Sequence, residues 1–185
     1  MNNLLDSFLP AMRTYLYMKK PILILFCIAS SFSLVSGQDI IKGLSISVSL
    51  VPKSAKQPNL KLKDGSGITL LYKAESGIHV MMGKNGKLFD FCDPFENAKM
   101  VQVGEVDIDK DGKPEIIVAS RTSSETMEAK IFKKADFETL YKEWTHFTGV
   151  ASLEFPGNGT VKLYDKEGNA GIYKFMENGK ISEVE

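Results

Sequence analysis

Apolar and serine residues alternate one by one over 44–50, Leu-Ser-Ile-Ser-Val-Ser-Leu, and that period of two predicts a half-buried strand. Leu60 and Leu62 alternate with lysines ahead of a turn at Asp64-Gly65-Ser66-Gly67. Short apolar stretches predict further strands over 68–74, 77–82, 88–91 and 100–106. Asn85-Gly86 forms a tight hairpin among them, because both residues accept the positive φ angles such turns require. An apolar strand over 115–119 follows, and 127–132 is its expected antiparallel partner. Strands over 152–155, 160–164 and 171–176 close the chain, with a second Asn-Gly turn at Asn178-Gly179. The pattern changes only over 136–147. There Phe137, Leu140, Tyr141, Trp144 and Phe147 fall at helical spacing with Asp136 placed to cap, so a helix is expected, with a pair of twisted strands as the alternative.

The predicted fold is therefore mainly β. It consists of antiparallel meanders, like the blades of a propeller, with at most one helix at 136–147, or alternatively a β-sandwich. A weak internal repeat points the same way. Leu71-Tyr72, Gly77-Ile78 and Asn85-Gly86-Lys87-Leu88 find counterparts in Leu163-Tyr164, Gly171-Ile172 and Asn178-Gly179-Lys180-Ile181. Duplicated sheet units and convergent hairpin grammar both account for it.

Hydropathy near the start changes the domain picture. Lys19 and Lys20 precede the apolar run 21–29, and small residues end at Val35 and Gly37. A basic start, a short apolar core and a small-residue cut site predict a secretory signal over 18–37, cleaved before Gln38. Met18 is the natural start, and 1–17 reads as an upstream extension. The domain expected to fold is 38–185, which is 148 residues. The leader holds Arg13, Lys19 and Lys20 against Asp6, so of 23 basic and 23 acidic residues 20 and 22 remain, a charge of −2. That balance excludes a strongly basic nucleic-acid binder. Cys92 alone remains after cleavage, so no internal disulfide forms. A periplasmic or secreted protein with no membrane span in the mature chain is expected.

One stretch carries chemistry. Asp107, Asp109 and Asp111 alternate, Gly112 follows, and Glu115 closes the loop. Short carboxylates at positions 1, 3 and 5 point inward, the glycine permits the bend, the Lys113 carbonyl serves at position 7, and Glu115 adds a carboxylate at position 9. Four carboxylates within nine residues repel one another without a cation, and the hard oxygen set predicts Ca²⁺. Position 12 is Val118 rather than a glutamate, and both flanks read as strands, which excludes a helix-paired EF-hand.

The run 107–118 resembles the calcium loops of FG-GAP and VCBS repeats, Asp-x-Asp-x-Asp-Gly-x-x-Asp/Glu followed by an apolar strand. The resemblance covers roughly 30 residues and implies a structural ion in a blade-like sheet. The stretch 106–132 also resembles the core of periplasmic inhibitors of invertebrate-type lysozyme. That second resemblance implies a partner-binding loop at Ser120, Arg121, Thr122, Ser123, Ser124, Glu125 and Thr126, near the acidic loop.

Other residues offer less. A Cys92 nucleophile would need a histidine, and only His79 and His146 exist, neither in a recognisable signature. Asp90, Asp93 and Glu96 are the carboxylates available for sugar hydrolysis, but a solvated loop explains them. Asn158-Gly159-Thr160 matches a glycosylation acceptor and also reads as a turn. There is no Gly-x-Ser-x-Gly, phosphate-cradling glycine loop or zinc spacing. The expected function is an exported, non-catalytic β domain that holds structural Ca²⁺ and binds a protein or glycan. The alternative is an inhibitor of a lysozyme-like hydrolase acting through 120–126.

Overall fold

The structure, a computed structural model, describes residues 40–54, 57–122, 125–134 and 141–184. The leader at 1–37 lies outside them. In chain order the strands are β1 (Ile41–Lys42), β2 (Ile46–Leu50), β3 (Asn59–Lys61), β4 (Gly67–Lys73), β5 (Gly77–Lys84), β6 (Lys87–Asp90) and β7 (Met100–Val106). They continue with β8 (Glu115–Arg121), β9 (Met127–Lys134), β10 (Tyr141–Val150), β11 (Ser152–Gly157), β12 (Thr160–Tyr164), β13 (Ala170–Phe175) and β14 (Ile181–Glu183). They form three sheets, ordered β3-β4-β5-β6, β10-β9-β8-β7-β2 and β1-β11-β12-β13-β14. Every pairing is antiparallel except β1 with β11. Each sheet is thus a four-strand meander, with β2 and β1 added to the edges of the second and third. The mainly β expectation is met, and among the described residues no sheet closes into a barrel.

The second sheet is the middle layer, and β8 is the reason. Its side chains alternate between two cores, as strand geometry requires. Ile116 and Val118 join Val101, Val103 and Phe132 against Leu60, Ile68, Leu70, Ile78 and Val80 of the first sheet. Ile117 and Ala119 join Ala129, Ile131 and Phe147 against Leu153, Phe155, Val161 and Phe175 of the third. A strand covered on both faces needs no polar alternation, which is why 116–119 reads as an unbroken apolar run. Gln102, buried in β7, lets the chain enter this stack. Its Oε1 accepts from the Ile40 and Ile41 amides, each at 2.9 Å, and Nε2 donates to the Ile41 carbonyl at 3.3 Å.

The repeat in sequence falls on matching places in the outer sheets. Leu71-Tyr72 lies at the end of β4 and Leu163-Tyr164 at the end of β12. Gly77-Ile78 opens β5, and Gly171-Ile172 lies at the start of β13. The Asn-Gly turns join β5 to β6 and β13 to β14. Gly179, in the second of these turns, has φ 79° and lies against the Trp144 carbonyl of the middle sheet, where a Cβ would collide with that oxygen. Gly179→Ala is expected to cost about 2 kcal/mol or more through backbone strain and the clash, lowering the urea midpoint. An unchanged midpoint would show that this turn does not dock on β10.

The helix expected at 136–147 is corrected over its described part: Tyr141–Val150 is strand β10, paired with β9. Residues 136–140 lie outside the described residues. The spacing of three that suggested a helix comes from bulges. Glu143 pairs with Phe132 and Thr145 with Ile131, so Trp144 is an extra residue in the strand. Thr148 pairs with Glu128 and Val150 with Met127, so Gly149 is another. Each extra residue shifts the alternation by one. Tyr141 therefore meets Phe91 in the first core, while Trp144 and Phe147 turn to Phe175 in the second.

Candidate metal centre

The acidic loop is the hairpin between β7 and β8, whose last registered pair is Val106 with Glu115. Asp107 leaves one strand as Glu115 begins the other, so two carboxylates are set by the sheet itself. The loop between them is shaped by its own side chains. Asp107 Oδ2 accepts from the Gly112 amide at 3.1 Å, Asp109 Oδ1 from Asp111 at 3.3 Å, and Asp111 Oδ1 from Lys113 at 2.7 Å. Gly112 takes φ 82°, as the bend requires. Glu115 is fully buried, and its Oε2 accepts from the Ile108 amide at 2.8 Å.

Each of these carboxylates gives one oxygen to the loop's amides. Asp107 Oδ1 and Glu115 Oε1 are buried and have no hydrogen-bond partner among the described residues. Ligand oxygens of Asp107, Asp109 and Glu115 lie within 4.8 Å of one another. A metal ion fits this cluster: it satisfies the two orphaned oxygens and offsets the repulsion of three carboxylates. Asp111 stands outside the cluster, and Lys113 presents an exposed side chain with its amide committed to Asp111.

The electrostatics carry the strain of the arrangement. Burial pushes the Glu115 carboxyl up to about 7, and the neighbouring Asp109 adds to it, against the opposing Ile108 hydrogen bond. Lys133, from β9, brings its ammonium to Asp109, with Glu115 Oε1 at 3.7 Å and Asp111 Oδ2 at 3.9 Å. Its own pKa is raised. Partial burial works against the charge, but Asp109 first, then Glu115 and Asp111, outweigh it. Nothing in the loop's own sequence signals Lys133. It arrives from the neighbouring strand through the β8–β9 pairing.

The loop at 120–126 lies at the other end of β8, which corrects the expectation that it sits beside the acidic loop. Seven residues at about 3.3 Å each separate the two by roughly 20 Å. Ser120 is buried within the strand, and the Arg121 guanidinium donates to the Ala151 carbonyl at 2.9 Å. Thr122 and Glu125 are exposed, Thr126 is half-buried, and Ser123 and Ser124 lie outside the described residues.

One constellation went unread in the sequence. His79 Nδ1 stands 3.0 Å from Asp90 Oδ1, and its Nε2 stands 2.8 Å from the Ser76 hydroxyl. The carboxylate favours the proton on Nδ1, leaving Nε2 to accept from serine. The signal was the Asn85-Gly86 turn: counting outward pairs Met81 with Asp90, and His79 lies two residues along on the same face. Asp90 is 56 % exposed, and the Ser76–His79–Asp90 contacts tie the β4–β5 turn to β6. Asp93 and Glu96 are exposed. Burial pushes the Cys92 thiol up to about 12, which keeps it protonated and unreactive.

No protein-family model, curated protein or solved structure matches the chain.

Proposed function

We propose that this chain is an exported β domain that holds a structural Ca²⁺ in the 107–115 loop and meets a protein or glycan through the surface beside it. The observation that carries the reading is the buried Glu115 Oε1, which has no hydrogen bond among the described residues and only the Lys133 ammonium at 3.7 Å, beside an Asp107 Oδ1 that also lacks a hydrogen bond and within reach of Asp109. A buried carboxylate left in this state is costly, and a divalent cation removes the cost. The donors are all carboxylate oxygens, which favours a hard ion, and an irregular hairpin loop suits the loose geometry of Ca²⁺ better than the strict octahedron of Mg²⁺. Export rests on the basic and apolar pattern of the leader. No helix among the described residues is long and apolar enough to cross a membrane.

Calcium titration with thermal melting tests the reading. At a tenfold excess over Kd, mass action adds about 1.4 kcal/mol. For a domain of this size that raises Tm by roughly 3–6 °C. EDTA returns Tm to its starting value, and Asp109→Ala removes the shift. A Tm that ignores both calcium and EDTA, with no calorimetric heat, would sink the proposal.

A further inference from the structure

Beside the acidic loop lies an open basin of about 740 Å³, a volume suited to a small ligand. Asp109 and Asp111 form one wall, the ends of β9 and β10 another, and the β11–β12 turn with the end of β13 a third. Lys110, Lys133, Lys134, Lys142 and Lys174 line it with four carboxylates, Asp109, Asp111, Glu143 and Glu177, so the lining carries a net charge of +1. The apolar part includes Trp144, stacked on Phe175 with ring centroids 5.0 Å apart and planes 23° apart.

Lys133 joins the basin to the metal cluster. Its ammonium lies against Asp109 and also 5.1 Å from the centre of the Trp144 ring. A divalent ion among Asp107, Asp109 and Glu115 takes the carboxylates that now hold this ammonium and repels it. The lysine stem is long enough to carry the charge into the basin. With the site's Asp107 and Glu115 counted as ionised beside the lining, the ion raises basin and site together from −1 to +1. Ca²⁺ takes six to eight oxygens, so three or four carboxylates leave coordination positions for oxygens from outside the loop.

We propose that the basin binds an acidic oligosaccharide, a uronate chain, and that it does so only when the loop holds calcium. This rests on the calcium reading above and extends it to the partner. Uronate carboxylates match both the lysines and the open positions of the ion. The apolar face of a sugar ring suits the indole once Lys133 moves off it. A volume of about 740 Å³ suits two or three sugar rings better than a helix or strand of a protein, which would need a longer groove.

Trp144 is the only tryptophan in the chain, so its emission reports on the basin directly. The experiment follows that emission, with calorimetry, as calcium and then trigalacturonate are added to the mature protein. Calcium alone is expected to change the emission as Lys133 shifts. Trigalacturonate is expected to bind at least tenfold tighter in calcium than in EDTA, and maltotriose not at all. A Lys142→Met, Lys174→Met double variant keeps calcium binding and loses trigalacturonate affinity at least tenfold. Calcium heat without trigalacturonate binding overturns this proposal and leaves the calcium reading standing. Equal binding in EDTA, equal binding of maltotriose, or binding of tetraglutamate in place of the uronate also overturns it. Absence of any calcium heat overturns both.

Discussion

At pH 8 in EDTA, the Glu115→Gln protein melts above the unchanged protein, and calcium no longer raises it. Burial lifts the Glu115 pKa from 4.5 to about 7 in the fold, so the native state binds this proton more tightly than the unfolded chain does. The stabilisation from protonation is complete below 4.5 and is lost as pH rises through about 7. Above that, the metal-free protein holds a buried, ionised carboxylate at a cost of up to ~3 kcal/mol. Glutamine keeps an oxygen to accept from the Ile108 amide and removes the charge. The proposed calcium ion acts in the opposite sense, because carboxylate ligands hold it in their ionised form, so its effect on Tm is expected to grow between pH 5 and pH 8. Glu105 is also raised, by burial and its neighbour Asp64, and adds a slope of the same sign. The difference between variant and parent isolates Glu115. Asp64 is lowered, since its bonds to Ser66 and Lys134 outweigh its burial, and its contribution is lost only as pH falls below 3.8, outside this window. Melting curves at pH 5 and pH 8, with and without calcium, check the result. A variant less stable than the parent in EDTA at pH 8 would refute it.

The parts of the molecule legible in the sequence are those whose cause is local. The acidic loop is set by alternating carboxylates and one glycine within nine residues, and the hairpins by Asn-Gly pairs. The two-sided burial of β8 shows in its unbroken run of Ile116, Ile117, Val118 and Ala119. What was illegible depends on register between strands. Trp144 and Phe147 keep a spacing of three through a bulge, and a bulged strand imitates a helix in one dimension. Lys133 enters the acidic cluster from β9, and His79 meets Asp90 across β5 and β6. The 120–126 loop follows the acidic loop closely in sequence, but the fully extended β8 between them carries it to the opposite end of the sheet.

Ile116→Ala and Ile117→Ala each lower stability by about 2–5 kcal/mol, and both unfold in one transition at the same midpoint by every probe. The two residues are neighbours on β8, fully buried, and face different cores. If the layers were separate folding units, each variant would melt one core early and leave the other, giving two steps in urea. The middle sheet prevents that, because removing β8 uncovers both cores at once. The combined loss of roughly 4–10 kcal/mol is comparable to the whole stability of an ordinary domain, so the double variant is expected to be largely unfolded at 25 °C. Far-UV and near-UV circular dichroism through urea titrations measure this. Two resolved transitions, or one variant with an unchanged midpoint, would show that the layers are independent. Calcium adds a further constraint, since the proposed site closes the hairpin that β8 begins. A ligand that binds only the native state adds the same increment whichever core is weakened. Calcium is therefore expected to raise parent, Ile116→Ala and Ile117→Ala by equal free energies. An increment confined to one variant would place the ion's effect in one core instead of in the strand both cores share.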